Sequence, residues 1–98
     1  MADSTIVRIR PHNGVPFTIN VKGRDLWALE QLAKAAQSGV SPRDEPTGPR
    51  WSAYIHNLRG LGVPIETRRE PHGGEFPGTH GRYILHATIE RLSAEVAQ

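Results

Sequence analysis

At 98 residues and a formal net charge of +2, without cysteine, the chain allows one modest core as a single domain over 1–98, and it excludes disulfides, thiolate metal sites and cysteine nucleophiles. The opening MADSTIVRIR carries no apolar run ahead of a cleavage site, and no segment approaches a membrane span, so a cytoplasmic protein with no membrane partner is expected. The pI is about 9.5, and arginine heavily outnumbers lysine, with Arg50, Arg59, Arg68, Arg69 and Arg82 gathered in one segment where their planar forks suit phosphate and guanine edges or simply solvate a surface.

Two β-prone runs come first. Val7 and Ile9 alternate with Arg8 and Arg10, and Phe17, Ile19 and Val21 alternate with Thr18, Asn20 and Lys22. Both have the period of a half-buried strand, and Asn13-Gly14 between them is a turn signal, so an N-terminal hairpin is expected over about 5–22. Asp25 then reads as a helix N-cap, Leu26, Leu29, Leu32, Ala33 and Ala36 mark one helical face, and Gly39 supplies a stop. This predicts a helix over about 25–38. Pro42, Pro46 and Pro49 interrupt the next stretch, which reads as an irregular connection with room for a single turn after Ser41.

A second helix is predicted over about 49–61, because Trp51, Tyr54, Ile55, Leu58 and Leu61 recur at helical spacing. Its other side presents Ser52, Ala53, His56, Arg59 and Gly60, with Asn57 and Arg50 towards the margins. Gly62 and Pro64 end it. Strands at 65–69 and 82–86 flank EPHGGEFPGTHG, a hairpin over about 65–86 bearing Arg68, Arg69, His72 and Arg82, with Glu70 and Glu75 opposing them. From about 88 to 97, Ile89, Leu92 and Val96 suggest a last helix, whose apolar face would pack on the first helix or pair with a symmetry mate.

Catalytic and metal motifs are missing. There is no HExxH, P-loop, GxSxG or carboxylate pair on a common element, and His72, Glu75 and His80, with His86 or His56, match no metal-ligand spacing. Neither an enzyme nor a cofactor is expected.

The run Trp51-Ser52-Ala53-Tyr54-Ile55-His56-Asn57-Leu58-Arg59, then Gly62, Ile65 and Thr67, then Arg82-Tyr83-Ile84-Leu85, resembles the small winged helix-turn-helix proteins of bacterial phages, prophages and mobile elements. Leu26-Trp27-Ala28-Leu29 with Leu32 fits the first helix of that group, so the resemblance covers roughly residues 23 to 86. Prolines stand where the group carries a short helix. The resemblance implies an α+β winged helix-turn-helix fold, here with an additional N-terminal β-hairpin and C-terminal helix. It also implies a sequence-specific double-stranded DNA-binding protein, a transcriptional regulator or excisionase-like accessory factor. The helix at 49–61 would read the major groove and the wing at 65–86 would touch the backbone. The residues carried into the interface are Arg50, Ser52, Ala53, His56, Asn57, Arg59, Arg68, Arg69, His72 and Arg82. A homodimer suits repeated or palindromic sites. The alternative is a protein-interaction module on the same fold, which the near-balanced charge and the two wing acids favour.

Overall fold

The computed structural model describes residues 4–41, 50–72 and 78–94. Strand β1 (Ser4–Pro11) pairs antiparallel with β2 (Phe17–Lys22), in the register Val7 opposite Ile19 and Ile9 opposite Phe17. The alternation has the physical outcome it demands: Val7, Ile9, Ile19 and Val21 are buried on one face, while Ile6, Arg10, Thr18, Asn20 and Lys22 are exposed.

Helix α1 (Gly23–Ala35) leaves β2 without a loop, since Gly23 takes φ +64° and turns the chain at once. Lys22 therefore occupies the cap position, and Asp25 lies inside the first turn rather than capping it. Ala28, Leu29 and Leu32 are the fully buried stripe of α1. After a 3-10 turn at Ala36–Ser38, Gly39 ends the helical segment and Val40 bridges to Tyr83, with reciprocal N–H···O=C bonds of 2.8 Å. Residues 42–49, and with them the irregular connection expected there, lie outside the described residues.

Helix α2 (Trp51–Gly60) buries Trp51, Tyr54, Ile55 and Leu58. Its end is closed by three bonds: Leu61 N–H donates to the Leu58 carbonyl at 3.0 Å, Gly62 N–H to the Arg59 carbonyl at 3.0 Å, and Val63 N–H to the Leu58 carbonyl at 3.1 Å. Gly62 at φ +95° makes that reversal without strain. The chain then enters β3 (Ile65–His72), which pairs antiparallel with β4 (Gly78–Leu85), Ile65 opposite Leu85 and Arg68 opposite Arg82.

The C-terminal segment departs from expectation. Residues 87–94 form a strand, β5 (Ala87–Ala94), not the helix read over about 88–97. It pairs antiparallel with β1 and completes a sheet in the order β2-β1-β5. Spacing of Ile89 and Leu92 by three is compatible with a helix, but burial follows the strand period: Ala87 is buried, Ile89 is partly buried against the core, and Thr88 and Glu90 are exposed. The deciding interaction is non-local. Strand β1, buried through Val7 and Ile9, has a second edge of backbone groups to satisfy, and β5 satisfies it. Ion pairs set the pairing further, with Glu90 3.3 Å from Arg10 and 3.7 Å from Arg8, and Arg91 2.8 Å from Glu30 of α1. The proposed face of Ile89, Leu92 and Val96 thus does not exist as a helical stripe, and Val96 lies outside the described residues.

Gly39 is the most tightly enclosed of the described glycines. A Cβ there would stand 2.8 Å from Arg82 Cγ, Ile84 Cγ1 and the Tyr83 carbonyl oxygen, at a φ of +72°. Gly39→Ala should destabilise the fold by about 2–4 kcal/mol, combining left-handed strain and overpacking. Urea unfolding of the two proteins checks this, and coincident midpoints would show that the junction relaxes freely.

Candidate nucleic-acid interface

The outward side of α2 follows from its buried one. With Trp51, Tyr54, Ile55 and Leu58 turned inward, Ser52, His56 and Gly60 are exposed and Ala53 is half-buried. Arg50 precedes the helix, exposed, with its carbonyl accepting from Ala53 N–H at 2.9 Å and Tyr54 N–H at 3.1 Å. This surface is small and polar and offers hydroxyl, imidazole and methyl groups, the chemistry that reads base edges.

Two of the expected readers are tied down. Arg59 donates from Nε and Nη2 to the Ile65 carbonyl at 3.2 and 2.8 Å, and from Nη2 to Thr67 Oγ1 at 2.8 Å. On the opposite margin Asn57 donates from Nδ2 to both carboxylate oxygens of Asp25 at 3.3 Å. Arg59 therefore braces α2 against β3, and Asn57 braces it against α1. Neither tie is visible in sequence, because each depends on where another element comes to rest.

Strand alternation sorts the wing arginines. Arg69 shares a face with Ile65 and Thr67, the side on which Arg59 reaches β3, and it stands about 7 Å along the strand beyond Thr67. Arg68 and Arg82 oppose each other across the strands on the other face. Two like charges so placed repel, and each is drawn elsewhere: Arg68 to Glu66 at 3.3 Å, Arg82 to the Ser38 and Gly39 carbonyls at 3.2 and 3.5 Å. His72 ends β3 opposite Gly78, and its side chain lies outside the description, as do the side chains of Glu70 and His80 and all of Glu75.

Glu66 was not among the residues singled out from the sequence. It holds Arg68 and also His86, whose Nε2 is 2.6 Å from Oε1. These two partners, His86 first, lower the pKa of the exposed carboxyl below its usual range. Among the described residues no three His, Asp or Glu side chains gather as a metal site.

Asn20 and Lys22 of β2 are not among the interface residues expected from the sequence. They line an open cleft together with Asp25, His56, Asn57 and Gly60, whose walls also include the apolar Val21 and Leu61, so the outward face of α2 runs directly into the end of β2. The cations divide into two classes. Arg8, Arg10, Arg24, Arg59, Arg68, Arg82 and Arg91 have partners within the fold. Among the described residues Lys22, Lys34, Arg50 and Arg69 have none.

A helix flanked by a two-stranded hairpin, with Val40 bridged to the outer edge of that hairpin, is the geometry of a winged helix, and residues 18–95 match the family described as winged helix domain. This chain belongs to the winged helix domain family. No curated protein and no solved structure matches it. In this winged helix domain α2 is tied to the β3–β4 hairpin through Arg59. Such domains bind DNA in general, while the specific role of any one is decided by its site.

Two outcomes are expected of the braces. Arg59→Ala should cost about 1 kcal/mol of stability, so its effect on any ligand will include a loosened α2; equal urea midpoints would separate Arg59 from the fold. The lowered pKa of Glu66 means that its contacts stabilise the fold above the unfolded-state value, and this is lost as pH falls through the folded one. Wild type should therefore exceed Glu66→Gln in melting temperature near neutral pH and converge with it in acid. A difference that persists at acid pH would exclude the carboxylate as its cause.

Proposed function

We propose that this winged helix domain is a sequence-specific double-stranded DNA-binding protein that reads the major groove through α2 and rests β3–β4 on the adjacent backbone. The observation that carries the proposal is the outward face of α2, where Ser52, Ala53 and His56 stand exposed or half-exposed, with Arg50 at its start and Arg69 on the adjoining hairpin, neither having a partner among the described residues. Ser52 and His56 supply hydrogen-bonding groups, and Ala53 suits a thymine methyl. With its amide nitrogen on Asp25, Asn57 offers its carbonyl oxygen to an exocyclic amine. Arg69 is the wing residue placed to meet phosphate. Arg68 and Arg82, on the other face, contribute mainly to the field.

In this proposal the protein acts in the cytoplasm, without catalysis or cofactor, as a transcriptional regulator or excisionase-like accessory factor of a phage, prophage or mobile element. A homodimer on a palindromic site belongs to the same proposal. The second reading is a protein-docking module. It is favoured by the internal engagement of Arg59, Arg68 and Arg82, which leaves fewer cations to attract a polyanion.

A selection of genomic fragments by purified protein, at low and moderate salt, distinguishes the two. Enrichment of one motif that survives added salt supports the DNA reading, and motif symmetry reports the oligomer bound. His56→Ala should then relax preference at one base position at about 1–3 kcal/mol. Arg69→Ala should weaken binding to every sequence and reduce the salt slope by about one. Absence of any enriched motif would transfer the proposal to a protein partner.

A further inference from the structure

We propose that the end of β2 is a second backbone-binding margin of the same interface, with Lys22 and Asn20 holding a DNA phosphate on the side of α2 away from the wing. The inference rests on the DNA reading of α2 and adds residues that neither the family nor the recognition-helix motif assigns.

Groove geometry creates the demand. An α-helix with its side chains is about 10–12 Å across and fills a major groove of about 12 Å, so a phosphate backbone passes on each side of it. The wing answers one backbone. Arg59 reaches β3 on that margin of α2, and Arg69 continues the same face. Asn57 occupies the other margin and reaches α1, and beyond it the cleft is walled by Asn20 and Lys22.

The polar rim of that cleft suits a phosphate. Lys22 is exposed and, unlike most cations of the domain, has no partner among the described residues. Asn20 is exposed on the same strand face, two residues earlier, and carries an amide donor. Pairing of Ser4 with Lys22 and of Ile6 with Asn20 holds both on a strand rather than a loose loop. Gly60 opens the α2 wall: a Cβ built there would find nothing within 4 Å. The carboxylate of Asp25, which repels phosphate, is drawn towards α2 by Asn57. The phosphate is therefore placed at the Lys22–Asn20 rim and not on the cleft floor.

The test uses a duplex carrying the motif recovered by selection, titrated with full-length protein over a range of salt. Lys22→Ala should weaken binding to specific and unrelated duplexes alike and reduce the salt slope by about one, with an unchanged melting temperature. Lys34→Ala is the matched control, since it removes the same charge about 18 Å further along α1 and should leave the slope unaltered. Gly60→Glu, whose Cβ finds nothing within 4 Å, should weaken binding at least as much as Lys22→Ala. An unaltered slope in Lys22→Ala, or equal effects of Lys22→Ala and Lys34→Ala, overturns the second margin and leaves the α2 reading standing. Wild-type protein that binds no duplex at any salt overturns both.

Discussion

The indole of Trp51 is the junction on which the interface depends. It is almost wholly buried, with Trp27 of α1 at 5.4 Å, Tyr54 of α2 at 6.2 Å and Tyr83 of β4 stacked at 6.5 Å between ring centroids. One side chain thus joins the first helix, the second helix and the wing. Aromatic pairs in these geometries contribute about 0.5–1.5 kcal/mol each beyond the area they bury. More important is the rotational constraint. Once Trp51 is inside, the period of α2 dictates that Ser52 and His56 are outside, and no independent device is needed to aim them.

Around that junction the fold ties α2 at both margins and joins two sheets. Arg24 lies over the Trp27 ring at 4.3 Å and donates to the Tyr54 hydroxyl at 3.3 Å, so the aromatic cluster is sealed by a cation on its exposed rim. Between β4 and β5 a single residue, His86, carries the chain from the wing into the three-stranded sheet. Its N–H donates to the Pro64 carbonyl at 2.9 Å, and its carbonyl accepts from His12 N–H at 3.0 Å. The wing is consequently continuous with the hairpin at the other end of the sequence, and the end of β2 is held in fixed relation to α2.

Charge acquires its meaning only within this frame. A net charge of +2 says little about a polyanion partner. The useful distinction is between cations that close the fold and cations that remain available. Arg59, Arg68 and Arg82 lie in the motif most suggestive of DNA, yet their guanidinium groups meet carbonyls, a threonine hydroxyl and a glutamate. Arg50 and Arg69 of the same segment, and Lys22 outside it, have no partner among the described residues, and Lys22 borders the cleft beside α2.

The sequence by itself determined the elements whose signals are local. The period of two in Val7, Ile9, Ile19 and Val21, the helical stripe of Trp51, Tyr54, Ile55 and Leu58, and the stops at Gly39 and Gly62 are written within a few residues, because backbone sterics and side-chain periodicity act at that range. The inward and outward sides of α2 were legible for the same reason. Tertiary structure alone decided β5, since the Ile89–Leu92 spacing favours a helix and only the open edge of β1 overrides it. It alone decided that Arg59 and Asn57 are braces, that Arg68 and Arg82 oppose each other across the hairpin, and that Lys22 and His56 line one cleft. Each of these is a meeting of residues distant in the chain, and the polar groups involved take whichever donor or acceptor the packed core brings within reach.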